Sequence, residues 1–153
     1  MPSKRASTLV DPAGLYDQDF FEWTRRSAEL LRAGRFDQAD IEHIAEEIED
    51  MGKRDLKEVN SRTRVLLIHL LKWWLQPGKR SRSWERTIAS QRIEIDQVLE
   101  DSPSLRTRFR LGLSRNYEKS VRLAAIETGL PQSEFPAECP FTAEQILDPE
   151  FLP

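Results

Sequence analysis

Cysteine occurs once, at Cys139, so the chain can form no internal disulfide, and a reducing, cytoplasmic setting is expected. No apolar run approaches the roughly 20 residues that a membrane-spanning helix needs. The opening MPSKRASTLVDPAG lacks the apolar stretch of a secretory signal. No membrane partner is therefore expected. Proline is missing from 13 to 76, from 78 to 102 and from 104 to 130, whereas five prolines fall from Pro131 onward. A stretch without proline keeps every backbone donor and can be helical throughout. Strand-like alternation, internal repeats and low-complexity segments are absent. So are a GxxxxGK[ST] phosphate loop, a Gly-x-Ser-x-Gly elbow and paired-cysteine metal spacings, so no familiar catalytic signature is present and no cofactor or metal is called for.

What is there is charge, and it is segregated. The net charge is only −3, but residues 37–58 carry −6, residues 59–122 carry +8 and residues 123–153 carry −6. A basic middle lies between acidic flanks. Such asymmetry marks either a surface for a polyanion or opposite charges that meet within the protein.

At about 100° per residue the proline-free stretches resolve into helices. A first helix is expected from an Asp17 N-cap, with Phe20, Thr24, Ala28 and Leu31 on its buried face and Gly34 just past its end. A second opens at Asp37, and its stripe Ile41, Ile44, Ala45, Ile48 and Met51 continues in phase through Leu56, Val59, Leu66, Leu70 and Trp73. That phase favours one helix from about 38 to 76 over a break at Gly52, with Gly52 on the buried stripe at a close helix crossing. Residues 65–75, VLLIHLLKWWL, are apolar nearly all round and point to deep burial or a subunit interface, which makes a homodimer an expectation. A third helix is expected from a Ser83 N-cap, with Trp84, Ile88, Ile95, Val98 and Leu99 inward. A fourth is expected from Ser102 and Pro103 to Gly129, with Leu105, Phe109, Leu113, Tyr117 and Ala124 inward. The tail carries the capping pattern Thr142-x-x-Gln145 before one turn, AEQIL. The fold class is therefore an all-α bundle of four to five helices. Residues 1–14 are read as a flexible segment, 15–153 as one domain, and 130–153 as an extended strap.

Four places have residues suited to chemistry. The loop QPGKRSRSW brings Lys79, Arg80, Arg82 and Trp84 to a helix start, where free N–H groups favour phosphate. Arg108, Arg115, Lys119 and Arg122 form a cationic strip opposite the core stripe of the fourth helix, suited to a nucleic-acid backbone or to the acidic flank Glu42, Glu46, Glu49 and Asp50. A pI of 5.5 favours the internal pairing over a dedicated nucleic-acid binder. His69, with Lys72 and Arg82 nearby in sequence, is the candidate for a catalytic pocket, although a histidine in so apolar a segment more often serves structure. His43 and Glu47 stand at i, i+4, a spacing metals use, but on a polar face where a surface histidine is the commoner case. Cys139 has no basic neighbour in sequence to activate it.

Several strings are distinctive together. They are Leu15-Tyr16, Asp19-Phe20 and Trp23; Glu46-Glu47-Ile48; HLLKW at 69–73 with Gln76-Pro77; RSRSW at 80–84; Ser102-Pro103-Ser104-Leu105; Glu127-Thr128-Gly129; FP-x-x-CP at 135–140; and the closing ILDPEFLP. Together they resemble the bacterial "domain of unknown function 29" family over roughly 15–153. The resemblance implies a single-domain, all-helical bacterial protein and brings no activity and no catalytic residue. The function favoured is a non-enzymatic interaction or regulatory module with a protein partner or a second copy. A nucleic-acid or phosphate binder and an enzyme with a pocket near His69 are the alternatives.

Overall fold

Asp19 leaves helical dihedrals, and its carboxylate accepts from the Glu22 N–H at 3.0 Å, which starts a helix one residue later. The computed structural model describes residues 12–153. Among them are six α-helices and no strand: α1 Pro12–Gln18, α2 Phe20–Arg32, α3 Ile41–Leu75, α4 Arg82–Asp101, α5 Leu105–Thr128 and α6 Ala143–Leu147. The fold class is all-α. Most of the expected flexible segment 1–14 lies outside the described residues, and helix begins at Pro12.

The helix from Ile41 to Leu75 is unbroken through Gly52, 35 residues and about 52 Å at 1.5 Å each. Two compact units divide the chain within it, one ending at Gly52 and the other running Lys53–Pro153.

In the first unit α2 turns its Trp23, Ser27 and Leu30 side inward, while Phe20 and Leu31 stay exposed. The expected face was therefore rotated, and its start misplaced, because Asp19 and not Asp17 caps the helix. Gly34, at φ 69°, closes α2, with its N–H on Leu31 and the Arg35 N–H on Leu30. That bond pair needs the left-handed region, which glycine enters without penalty. A polar-aromatic knot holds this unit. The Tyr16 ring stacks on His43 at 4.0 Å and its hydroxyl donates to Glu47 at 2.7 Å. Trp23 Nε1 donates to Asp40 at 3.3 Å, and Asp40 also takes His43 Nδ1 at 2.6 Å. Both members of the i, i+4 metal pair are thus engaged in packing. The expected inward stripe is not buried here: Ile41, Ile48 and Met51 are 49%, 63% and 61% exposed, and a Cβ on Gly52 would touch nothing within 4 Å. Periodicity recorded the stripe correctly, but nothing in this unit covers it.

The second unit holds the main core. Val59, Leu66, Leu67, Leu70 and Leu71 of α3 meet Ile88, Ile95 and Leu99 of α4, Phe109, Tyr117 and Ala124 of α5, and Phe135, Phe141 and Ile146 of the tail. The apolar saturation of 65–75 is absorbed by this core, so it gives no argument for a subunit interface. Ser81, not Ser83, caps α4, accepting from Trp84 N–H. Ser102 ends α4, and α5 begins after Ser104, two residues later than its proline suggested. Gly129, at φ 73°, ends α5, and Thr142 and Gln145 form the expected reciprocal cap.

Arg92 explains how the tail is held. It is 3% exposed, on the inward face of α4. Its guanidinium donates to the carbonyls of Ile146 and Phe151, both at 2.8 Å, and more loosely to Gln145 and Pro149. The C-terminal carbonyls of α6 have no intrahelical partner, and a buried cation supplies one. Tyr117 adds a second tie, its hydroxyl donating to Pro136 at 2.7 Å.

Candidate functional site

A cleft of about 640 Å³ opens between the middle of α3, residues 53–64, and the first two-thirds of α5. Its walls carry Lys53, Lys57 and Arg64 from α3 and Arg108, Arg115 and Lys119 from α5, with no carboxylate among the lining residues. The α3 cations recur at i, i+4 and i+11, and the α5 cations at i, i+7 and i+11. Each row therefore spans eleven residue steps, or about 16 Å of helix.

The floor of the cleft explains why these rows face each other. Asn116 is buried and donates through Nδ2 to Asn60 Oδ1 at 2.8 Å, while Arg64 donates to Asn116 Oδ1 at 3.2 Å. Ser120 Oγ reaches the Arg64 carbonyl at 3.3 Å. Asn60 with Asn116 and Arg64 with Ser120 share an offset of 56 residues, so α3 and α5 run parallel here. Gly112 leaves room for the amide pair, since a Cβ there would lie 3.3 Å from Asn60 Oδ1. Small and amide-bearing residues let the helices approach, and the long cationic side chains of the flanking positions line the opening.

Within the second unit Arg108, Arg115 and Lys119 form no ion pair among the described residues. Arg122, expected in the same strip, lines a smaller cleft of about 260 Å³ with Tyr117, Phe135 and Pro136. It sits at the edge of the strip's arc, where the 132–137 segment approaches α5.

The loop cations stand elsewhere. Arg80 donates to the Trp73 carbonyl at 2.8 Å and to Pro153 at 3.3 Å, and its guanidinium lies 5.1 Å over the Trp73 ring. It therefore ties the Pro77–Lys79 turn to the chain's end. Lys79 and Arg82 are exposed. Trp84 is covered by Lys72, whose Nζ lies 4.7 Å over the ring and pairs with Glu127 at 2.9 Å. His69 gives its Nδ1 to the Val65 carbonyl at 2.8 Å, and burial pushes its pKa below the ordinary value. His69 and Lys72 are therefore each bonded to a neighbour, with the Lys72–Glu127 pair close enough to act on the imidazole, while Arg82 is exposed. Burial raises the Cys139 thiol, which keeps it from the reactive thiolate form. Among the described residues no group of three metal-ligating side chains occurs, and no helix is long and apolar enough to cross a membrane.

Sequence reasoning missed Lys53, Lys57, Asn60 and Arg64. Their i, i+4, i+7, i+11 spacing was visible, but only tertiary pairing sets them against α5. No curated protein and no solved structure matches the chain. The family model described as a domain of unknown function, DUF29, matches residues 15–152, and the chain belongs to that family.

Proposed function

We propose that the protein is a non-enzymatic interaction module that captures an anionic partner in the α3–α5 cleft. One observation carries this: six cations line a single cleft that contains no carboxylate. Cations gathered in a concave surface reinforce one another's field and attract an extended anion more strongly than the same charges dispersed. The engagement of His69, Lys72 and Arg80 in packing contacts supports a binding role over a catalytic one.

The test is retention of labelled polyanions, a single-stranded oligonucleotide and polyglutamate, at nanomolar protein over rising salt. If all six cations engage an oligonucleotide, the log–log salt slope is roughly −4, and Arg115→Ala with Lys119→Ala lowers its magnitude by about 1.4. Retention of neither probe at about 50 mM salt, where such contacts are least screened, overturns the reading.

A further inference from the structure

The cleft reading leaves the partner open, and the chain itself carries a segment of the matching chemistry. Resting on that reading, we infer that the cleft's occupant is the acidic N-terminal segment of α3, residues 42–50, from a second copy of this chain, in a two-fold symmetric dimer.

The charge on α3 reverses along one face. At 100° per residue, Glu42 and Glu46 fall on the same side of the helix as Lys53, Lys57, Asn60 and Arg64. Both glutamates are exposed. Ala45, also exposed, borders this acidic face. The cleft offers apolar counterparts in Leu56 and in Leu111, which is 74% exposed. Residues 42–50 are acidic over about 12 Å, which fits within the 16 Å of the cation rows.

Symmetry turns this reversal into self-complementarity. In an isologous dimer the contact of residue i with j is repeated as j with i. In an antiparallel pair the acidic segment 42–50 of each copy meets the cationic cleft of the other. The antiparallel direction also opposes the aligned dipoles of α3 and α5. A helix fits the lining better than a nucleic acid, because no aromatic ring stands in the cleft to stack a base.

Sedimentation of the full chain tests the inference. A monomer–dimer equilibrium is expected that shifts toward monomer as salt rises. Lys57→Glu with Arg115→Glu weakens it at least tenfold, and so does Glu42→Lys with Glu46→Lys. Mixing the two double variants restores a heterodimer, because each then offers the charge the other lacks. Circular dichroism confirms that both variants remain helical, and the mixture keeps the test valid if either alone is less stable. A monomer at all concentrations that still retains oligonucleotide overturns the second copy as partner and leaves the cleft reading standing. A dimer indifferent to both charge reversals also overturns it. A monomer that retains no polyanion removes both.

Discussion

Replacing Arg92 with methionine keeps most of the side chain's volume and removes every donor that holds the tail. Four carbonyls lose a partner, two of them at 2.8 Å in bonds from a cation. Charge-assisted bonds contribute about 1.5–3 kcal/mol each in net terms. The two bonds beyond 3.3 Å add little. Against this, the guanidinium no longer has to be desolvated, which recovers part of the loss. The balance is a destabilisation of about 3 kcal/mol, or roughly 6–12 °C in Tm for a chain of this size. Urea denaturation followed by circular dichroism measures the first, and hydrogen exchange locates it, since the amides of 143–151 should open before those of α3. Arg92→Lys should fall between, because one ammonium cannot reach carbonyls spread over Gln145, Ile146, Pro149 and Phe151. A loss below about 1 kcal/mol for Arg92→Met, a typical neutral hydrogen bond, would refute the tether.

The two histidines should titrate on opposite sides of the ordinary value. Asp40 raises His43, so its contribution to stability is full below the unfolded pKa and is lost as pH rises through the folded one. Burial lowers His69, so its contribution is present above the unfolded pKa and is lost as pH falls through the folded one. NMR titration of the imidazoles reads both, and Asp40→Asn should bring His43 down while leaving His69 unmoved. Tyr117, pushed up to about 12 by burial, should stay protonated until the fold opens in base, as its ultraviolet absorbance would report. Tyr117→Phe should destabilise by about 1–2 kcal/mol in the same urea assay, since it leaves the Pro136 carbonyl without its donor. Gly129→Ala should cost about 1 kcal/mol through its positive φ, and an unchanged midpoint would contradict that strain.

Much of the fold was legible from spacing. The unbroken α3, the stop at Gly129 and the Thr142 cap each rest on local rules, periodicity, left-handed glycine and reciprocal side-chain bonds, that need no partner. Local rules failed where neighbouring candidates compete. Asp19 displaced Asp17, and Ser81 displaced Ser83, because a cap is chosen by where the chain enters the packed helix. The buried Arg92 was hidden for a different reason. A cation reads as solvated until a strap of carbonyls 53–59 residues away closes over it.

The candidate site divides the same way. An all-α chain, its segregated charge and the cationic strip on α5 could be read from the residues alone, since these follow from composition and from 3.6 residues per turn. Long-range packing set Lys53, Lys57 and Arg64 against that strip, moved Arg122 to a separate cleft, and bonded Arg80, Lys72 and His69 to Trp73, Glu127 and Val65. Helical periodicity places a side chain on a face, but which face meets which is set by long-range packing, here the Asn60–Asn116 contact that draws α3 and α5 together beneath the cleft.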